Sequence, residues 1–167
     1  MIDKFFKIAL LKSPSKQQRL SLLRFYNRNF PKSKWSERGL ERYFSDKKRH
    51  PICIIIKFKS KIIGLIMGRL SSDNKTKLNL AALLVSRQYQ GKGYSKILIR
   101  EFFKSAIKIP SQRIIYLHFR YSNKNLKSFY KRFGFGNCIV SGKYSNGEKK
   151  YYMDINKKSI QEYLKNL

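Results

Sequence analysis

The sequence predicts an α/β fold. It is a mixed, mostly antiparallel sheet of six to seven strands with about four to five helices, in one domain spanning residues 1–167. Three observations carry this expectation. The middle of the chain holds β-branched apolar runs separated by turn residues. Two segments before them carry apolar residues at helical spacing. After them a strand, a glycine-bearing loop and a helix follow one another directly, then a further strand–helix pair.

The elements follow in order. Lys16 to Phe30 places Leu20, Leu23, Phe25 and Tyr26 at helical spacing, and Phe30-Pro31 ends it because proline disfavours helix in the residue before it. Ser36 can N-cap a second helix reaching about Phe44, with Leu40 and Tyr43 on its buried side. Pro51 to Phe58 is a continuous β-branched strand, and Lys59-Ser60-Lys61 turns it into Ile62–Leu70. Ser71-Ser72-Asp73-Asn74 is turn chemistry before the strand Leu78–Val85. A loop, Gln88 to Gly93, leads into a helix from Tyr94 to about Ile107. Ile114–Arg120 reads as a strand and Asn123–Phe133 as a helix. Gly136–Tyr144 and Tyr151–Ile155 pair across a turn at Asn146-Gly147, and Ser159–Leu164 forms a short basic helix.

Composition narrows the function. Lysine and arginine number 38 against 9 acids, a net charge of +29. With 42% hydrophobic residues the chain can still bury a core, so it is not a disordered basic tail. The charge points to polyanions and against polyamines or aminoglycosides as substrates, since a cationic surface repels them. The longest apolar runs, Ile52–Ile56 and Ile62–Met67, fall far short of the roughly 20 residues of a membrane helix. Asp3 and the short Ile-Ala-Leu-Leu segment make a poor signal peptide. A cytoplasmic protein without membrane contact is expected. Cys53 and Cys138 sit in strand-like runs and read as reduced packing residues. With His50 and His118 they show no metal-ligand spacing, so no metal is expected.

The loop between strand and helix carries the first chemistry. Gln88, Gln90, Gly91, Lys92, Gly93, Tyr94 and Ser95 bring backbone amides and a helix N-terminus into one small space, where a pyrophosphate is favoured. The spacing is neither a dinucleotide fingerprint nor a P-loop. It resembles the acetyl-CoA motif of the GNAT superfamily of N-acetyltransferases, Q/R-x-x-G-x-G/A, here Gln88 to Gly93. A second motif follows in the right order: Asn123 seven residues before Tyr130, with Gly134-Phe135 after it.

The resemblance implies the GNAT fold, with acetyl-CoA in the cleft between splayed central strands. It implies that the amides near Leu83 and Val85 bind the pantetheine arm, that Asn123 contacts the cofactor, and that Tyr130 gives a proton to the leaving thiolate. Tyr116-Leu117-His118 looks like the Tyr-Leu-His of NatE-type N-terminal protein acetyltransferases, where the histidine is the general base. The bacterial ribosomal-protein acetyltransferase carries glutamate there. Phe30-Pro31 resembles the Phe-Pro that lines their peptide groove, and the segment from Tyr144 to Met153 their terminal hairpin. Two positions depart from the pattern: Lys77 where such enzymes have an assisting tyrosine, and Leu126 where they favour a small residue.

The amine chemistry agrees. Deprotonating a lysine at pH 7 costs roughly 3–4 kcal/mol more than deprotonating an α-amine, itself about 1 kcal/mol. A histidine near pKa 6.5 suits the easier task. Neither cysteine matches a nucleophile position, which favours direct transfer in a ternary complex. The expected activity is acetyl transfer to the N-terminal α-amine of a protein or peptide. The alternatives are a toxin acetylating aminoacyl-tRNA and a lysine acetyltransferase. The basic surface is expected to allow ribosome or tRNA contact, and the chain to be a monomer or dimer.

Overall fold

The computed structural model describes residues 5–31, 33–123 and 125–167. Asp3 lies outside them. A seven-stranded sheet has the order β1-β2-β3-β4-β5-β7-β6, every pair antiparallel except β4–β5. The strands are β1 (Phe6–Leu10), β2 (Ile52–Phe58), β3 (Lys61–Leu70), β4 (Lys77–Val85), β5 (Ile114–Arg120), β6 (Ile139–Lys143) and β7 (Lys149–Asn156). The helices are α1 (Lys16–Asn29), α2 (Glu37–Ser45), α3 (Tyr94–Ala106), α4 (Asn125–Lys131) and α5 (Lys157–Lys165). The mixed sheet with five helices among the described residues is the arrangement that the resemblance implies.

The unbroken apolar run of β2 is explained by two-sided burial. Ile52, Ile54 and Ile56 pack with α3, while Cys53 and Ile55 face Leu22, Leu40 and Tyr43 of α1 and α2. A strand covered on both faces has no need of polar alternation. Ser15 and Ser36 cap α1 and α2, each accepting an N–H three residues on, from Gln18 at 3.2 Å and Gly39 at 3.0 Å.

Two local readings change. On α1 the fully buried residues are Leu22, outside the expected set, and Tyr26, with Leu23 and Phe25 partly buried beside them. The N-terminal segment is an edge strand, β1, paired with β2 from Phe6↔Phe58 to Leu10↔Ile54. Its interspersed lysine hides the strand pattern, and the Phe6 ring packs, tilted, at 4.8 Å against Phe58 and 5.1 Å against Tyr94.

One irregularity shapes the centre. In the β3–β4 ladder Met67 pairs Ala82 and Gly68 pairs Leu80, which leaves Ala81 as an extra residue. The bulge switches the inward side of β4. Leu78 and Leu80 pack with α3, but Ala82 and Leu84 pack with α1 and α2. A Cβ on Gly68 opposite this bulge would lie 2.5 Å from both the Asn79 carbonyl oxygen and the Phe102 ring.

Candidate active site

The cleft begins where β4 and β5 part. They pair only through Lys77↔Ile114, Leu78↔Ile115 and Asn79↔Tyr116. Beyond the bulge the strands diverge around a cavity of about 760 Å³. Open ladder ends leave backbone groups without sheet partners. Ser86 donates its N–H to the Ile63 carbonyl at 2.8 Å, which makes Leu84↔Leu65 the next hydrogen-bonded pair. By strand alternation, the N–H and C=O groups of Leu83 and Val85 therefore turn away from β3 toward the cleft. The Gln90 side-chain amide donates to the Val85 carbonyl at 2.9 Å.

At one end of the cleft lies the glycine loop. Gly91 and Gly93 hold φ of 75° and 83°, and a Cβ on either would meet nothing within 4 Å. Gly93 is the left-handed N-cap of α3, so the loop bares its backbone beside the positive end of that helix. Gly91, Gln90, Tyr94 and Ser95 line the cavity. The bared loop, the helix end and the outward amides of Leu83 and Val85 fit a phosphorylated thioester cofactor.

Halfway along, His118 projects from β5 between two aromatic rings, Tyr116 at 5.6 Å and Tyr152 at 5.5 Å. Tyr152 stands opposite it in the β5–β7 register. Partial burial, with Lys150 nearby, pushes the His118 pKa below its usual 6.5, so the ring is neutral at pH 7. Tyr130, on α4, enters from the α3 side. Its ring is buried against Phe129 at 5.1 Å and Phe135 at 5.4 Å. That burial raises its phenol pKa well above 10, so it keeps its proton. Asn123 lines the same wall, and its carbonyl accepts the Leu126 N–H at 3.0 Å. Helix α4 is described only from Asn125, shorter than expected.

The far end is walled by two loops. Phe30 and Pro31 line it after α1. That connection is held by Asn27, which donates to the Trp35 carbonyl at 2.9 Å and accepts the Trp35 N–H at 2.8 Å. Tyr144, at the tip of the β6–β7 hairpin, closes the opposite side. Glu148 ties the tip down: it accepts from Arg120 at 2.9 Å, the Ser122 N–H at 3.0 Å and the Ser122 hydroxyl at 2.5 Å. These donors hold its carboxyl at about 2, well below the usual carboxylate range.

The cleft thus gathers Leu83, Val85, Gln90, Gly91, Tyr94, Ser95, His118, Asn123, Tyr130, Phe30, Pro31 and Tyr144. Three expected residues lie off its lining. Gln88 faces a separate groove beside α1, because the single 3-10 turn Arg87–Tyr89 rotates it to the other side of the sheet. Lys92 stands over the Tyr89 ring at 5.7 Å. Gly93 contributes its backbone turn only. Sequence reasoning missed Arg120, Ser122, Leu117 and Phe119, which also line the cleft. Arg120 and Ser122 carry no local motif; their partner Glu148 lies 28 and 26 residues away. Among the described residues, no three His, Cys, Asp or Glu side chains cluster to hold a metal. No described helix is long and apolar enough to cross a membrane.

Residues 19–135 match the profile of the acetyltransferase (GNAT) family. No curated protein matches the sequence at a significant level. Among solved structures, Ard1 from Thermoplasma volcanium superposes with a TM-score of 0.70 at 15% identity, covering 91% of this chain and 97% of its own. The ribosomal-protein-S18-alanine N-acetyltransferase from Escherichia coli gives 0.69 at 15%, covering 90% and 93%. A spermidine N-acetyltransferase chimera from Vibrio cholerae SpeG and hSSAT gives 0.66 at 19%, covering 92% and 98%. At such identities these likenesses concern the fold.

Proposed function

The chain belongs to the GNAT acetyltransferase family, whose members transfer an acetyl group from acetyl-CoA to amines, and on that premise we propose that it acetylates the N-terminal α-amine of a protein or peptide. The observation that carries this reading is His118, uncharged at pH 7 and facing a cleft walled by Phe30-Pro31 on one side and Tyr144 on the other. Such a site admits a chain end and meets it with a base matched to an α-amine. The solved ribosomal-protein-S18-alanine N-acetyltransferase of the same fold supports it. The spermidine enzyme shares the fold too, but the +29 charge disfavours a polycation.

Acetyl-CoA supplies the acetyl thioester. The loop at Gly91 and Gly93, with the N-terminus of α3, holds its phosphates, and Lys92 adds charge nearby. The outward amides of Leu83 and Val85 would orient the pantetheine arm and offer donors to the thioester carbonyl, where charge develops. His118 takes the proton of the attacking amine, directly or through a water. Tyr130, still protonated, donates to the departing sulfur. Phe30, Pro31 and Tyr144 grip the acceptor.

The test offers purified protein and labelled acetyl-CoA to a library of N-terminal peptides, to N-terminally blocked lysine peptides, to spermidine and to aminoacyl-tRNA. Label in the free N-termini is the expected result. Label in tRNA alone, or only in lysine side chains, overturns the assignment.

A further inference from the structure

On the α1 side of the sheet a second groove, about 1210 Å³, runs between α1, the β2–β3 turn and the 3-10 turn after β4. Five cations converge on it: Arg24 and Arg28 from α1, Lys57 and Lys61 from the strand ends, and Arg87. No carboxylate among the described residues lines it, and no side chain of the five forms an ion pair with a described residue. Elsewhere arginines find acids: Arg19 reaches Glu41, Arg69 reaches Asp46, and Arg120 reaches Glu148. Arg24 and Arg28 stand one turn apart on one helix face, an arrangement that disfavours the helix unless an anion lies between them. A concave, low-dielectric wall of one sign concentrates the field more than the same charges scattered.

We infer that this groove binds RNA through its phosphate backbone. The lining favours a nucleotide chain over an acidic peptide. The partly exposed ring of Phe25 on the groove wall offers apolar surface to a base. The side-chain amides of Gln17 and Gln88 add neutral donors to the wall, useful to base edges and phosphates but not required by carboxylates. Tyr89 lines both this groove and the cleft, so bound RNA would lie next to the cofactor loop. The inference does not depend on which amine is acetylated.

The experiment measures anisotropy of a labelled single-stranded RNA of about 12 nucleotides across a salt series. The groove variant replaces Arg24, Arg28, Lys57 and Lys61 by glutamine. A control variant removes equal charge from exposed Lys48, Lys108, Lys158 and Lys165. The groove variant is expected to lose at least about tenfold in affinity, and its salt slope to fall by about 2.8, at roughly 0.7 per lost phosphate contact. The control should stay within about threefold. A thermal melting midpoint equal to the parent protein's reports that each variant is folded. Equal losses in the two variants, or no binding by the parent protein, overturns the inference. So does displacement of RNA by a polyglutamate peptide of equal charge at equal concentration, which would assign the groove to an acidic protein segment.

Discussion

The guanidinium of Arg120 lies 4.3 Å from the centre of the Tyr144 ring. The same guanidinium donates to Glu148 at 2.9 Å. One arginine therefore joins the end of β5, which carries His118, to the hairpin that closes the acceptor end of the cleft. Cutting it should free the wall without touching the cofactor loop.

Arg120→Ala and Glu148→Gln are accordingly expected to raise KM for the acceptor about five- to tenfold, with acetyl-CoA affinity unchanged. Steady-state kinetics and calorimetry separate the two. Glu148 titrates at about 2, so the clamp's contribution is present above the ordinary carboxylate range and is lost only as pH falls through about 2. Acceptor KM should show no Glu148-linked rise between pH 5 and pH 8.

The lowered pKa of His118 sets the acid limb of the pH–rate profile. The base is available above that pKa, so kcat/KM should fall as pH drops through a midpoint below 6.5. The sign for stability is the same. The unfolded chain takes up the proton more readily, so this contribution is present above about 6.5 and is lost as pH falls through the folded value. His118→Ala should cost about 10²-fold in kcat and erase the limb. A limb that persists in the variant would identify another base.

Tyr130→Phe tests the proton donor. The ring packing against Phe129 and Phe135 survives, so thermal stability should change by less than about 1 kcal/mol. Loss of the hydroxyl should lower kcat about 10²-fold while leaving substrate affinities alone. Unchanged kcat would reduce Tyr130 to a core aromatic.

Gly91→Glu places a side chain in open space but at φ 75°, and sets a negative charge where phosphates belong. The strain is about 1–2 kcal/mol, and acetyl-CoA affinity should fall at least about 100-fold by calorimetry. Equal affinity in the variant would detach the loop from the cofactor.

Gly68→Ala tests the bulge. Its Cβ would lie 2.5 Å from the Asn79 carbonyl and the Phe102 ring, and the carbonyl belongs to a strand that cannot retreat. A loss of about 1–3 kcal/mol in denaturant unfolding is expected. Because the bulge splays β4 from β5, acetyl-CoA affinity should fall as well.

The residue pattern by itself determined a good deal. The helix cap at Ser36 and the glycine loop are local consequences of residue type, since capping and left-handed φ each depend on a few neighbours. Motif spacing pointed to the family through its resemblance: Gly91, Gly93 and Tyr130 stand where the two family motifs have them. The tertiary structure alone decided what depends on distant partners. The bulge at Ala81 arises from β3 register and opens the cleft. Gln88 turns away from that cleft because a single 3-10 turn redirects it. The Arg120–Glu148 clamp joins residues on separate strands, and the basic groove draws Arg24, Lys61 and Arg87 from three elements. The net charge of +29 was plain in the sequence. Where five of those charges converge was not, because convergence is a property of the packed sheet and not of spacing along the chain.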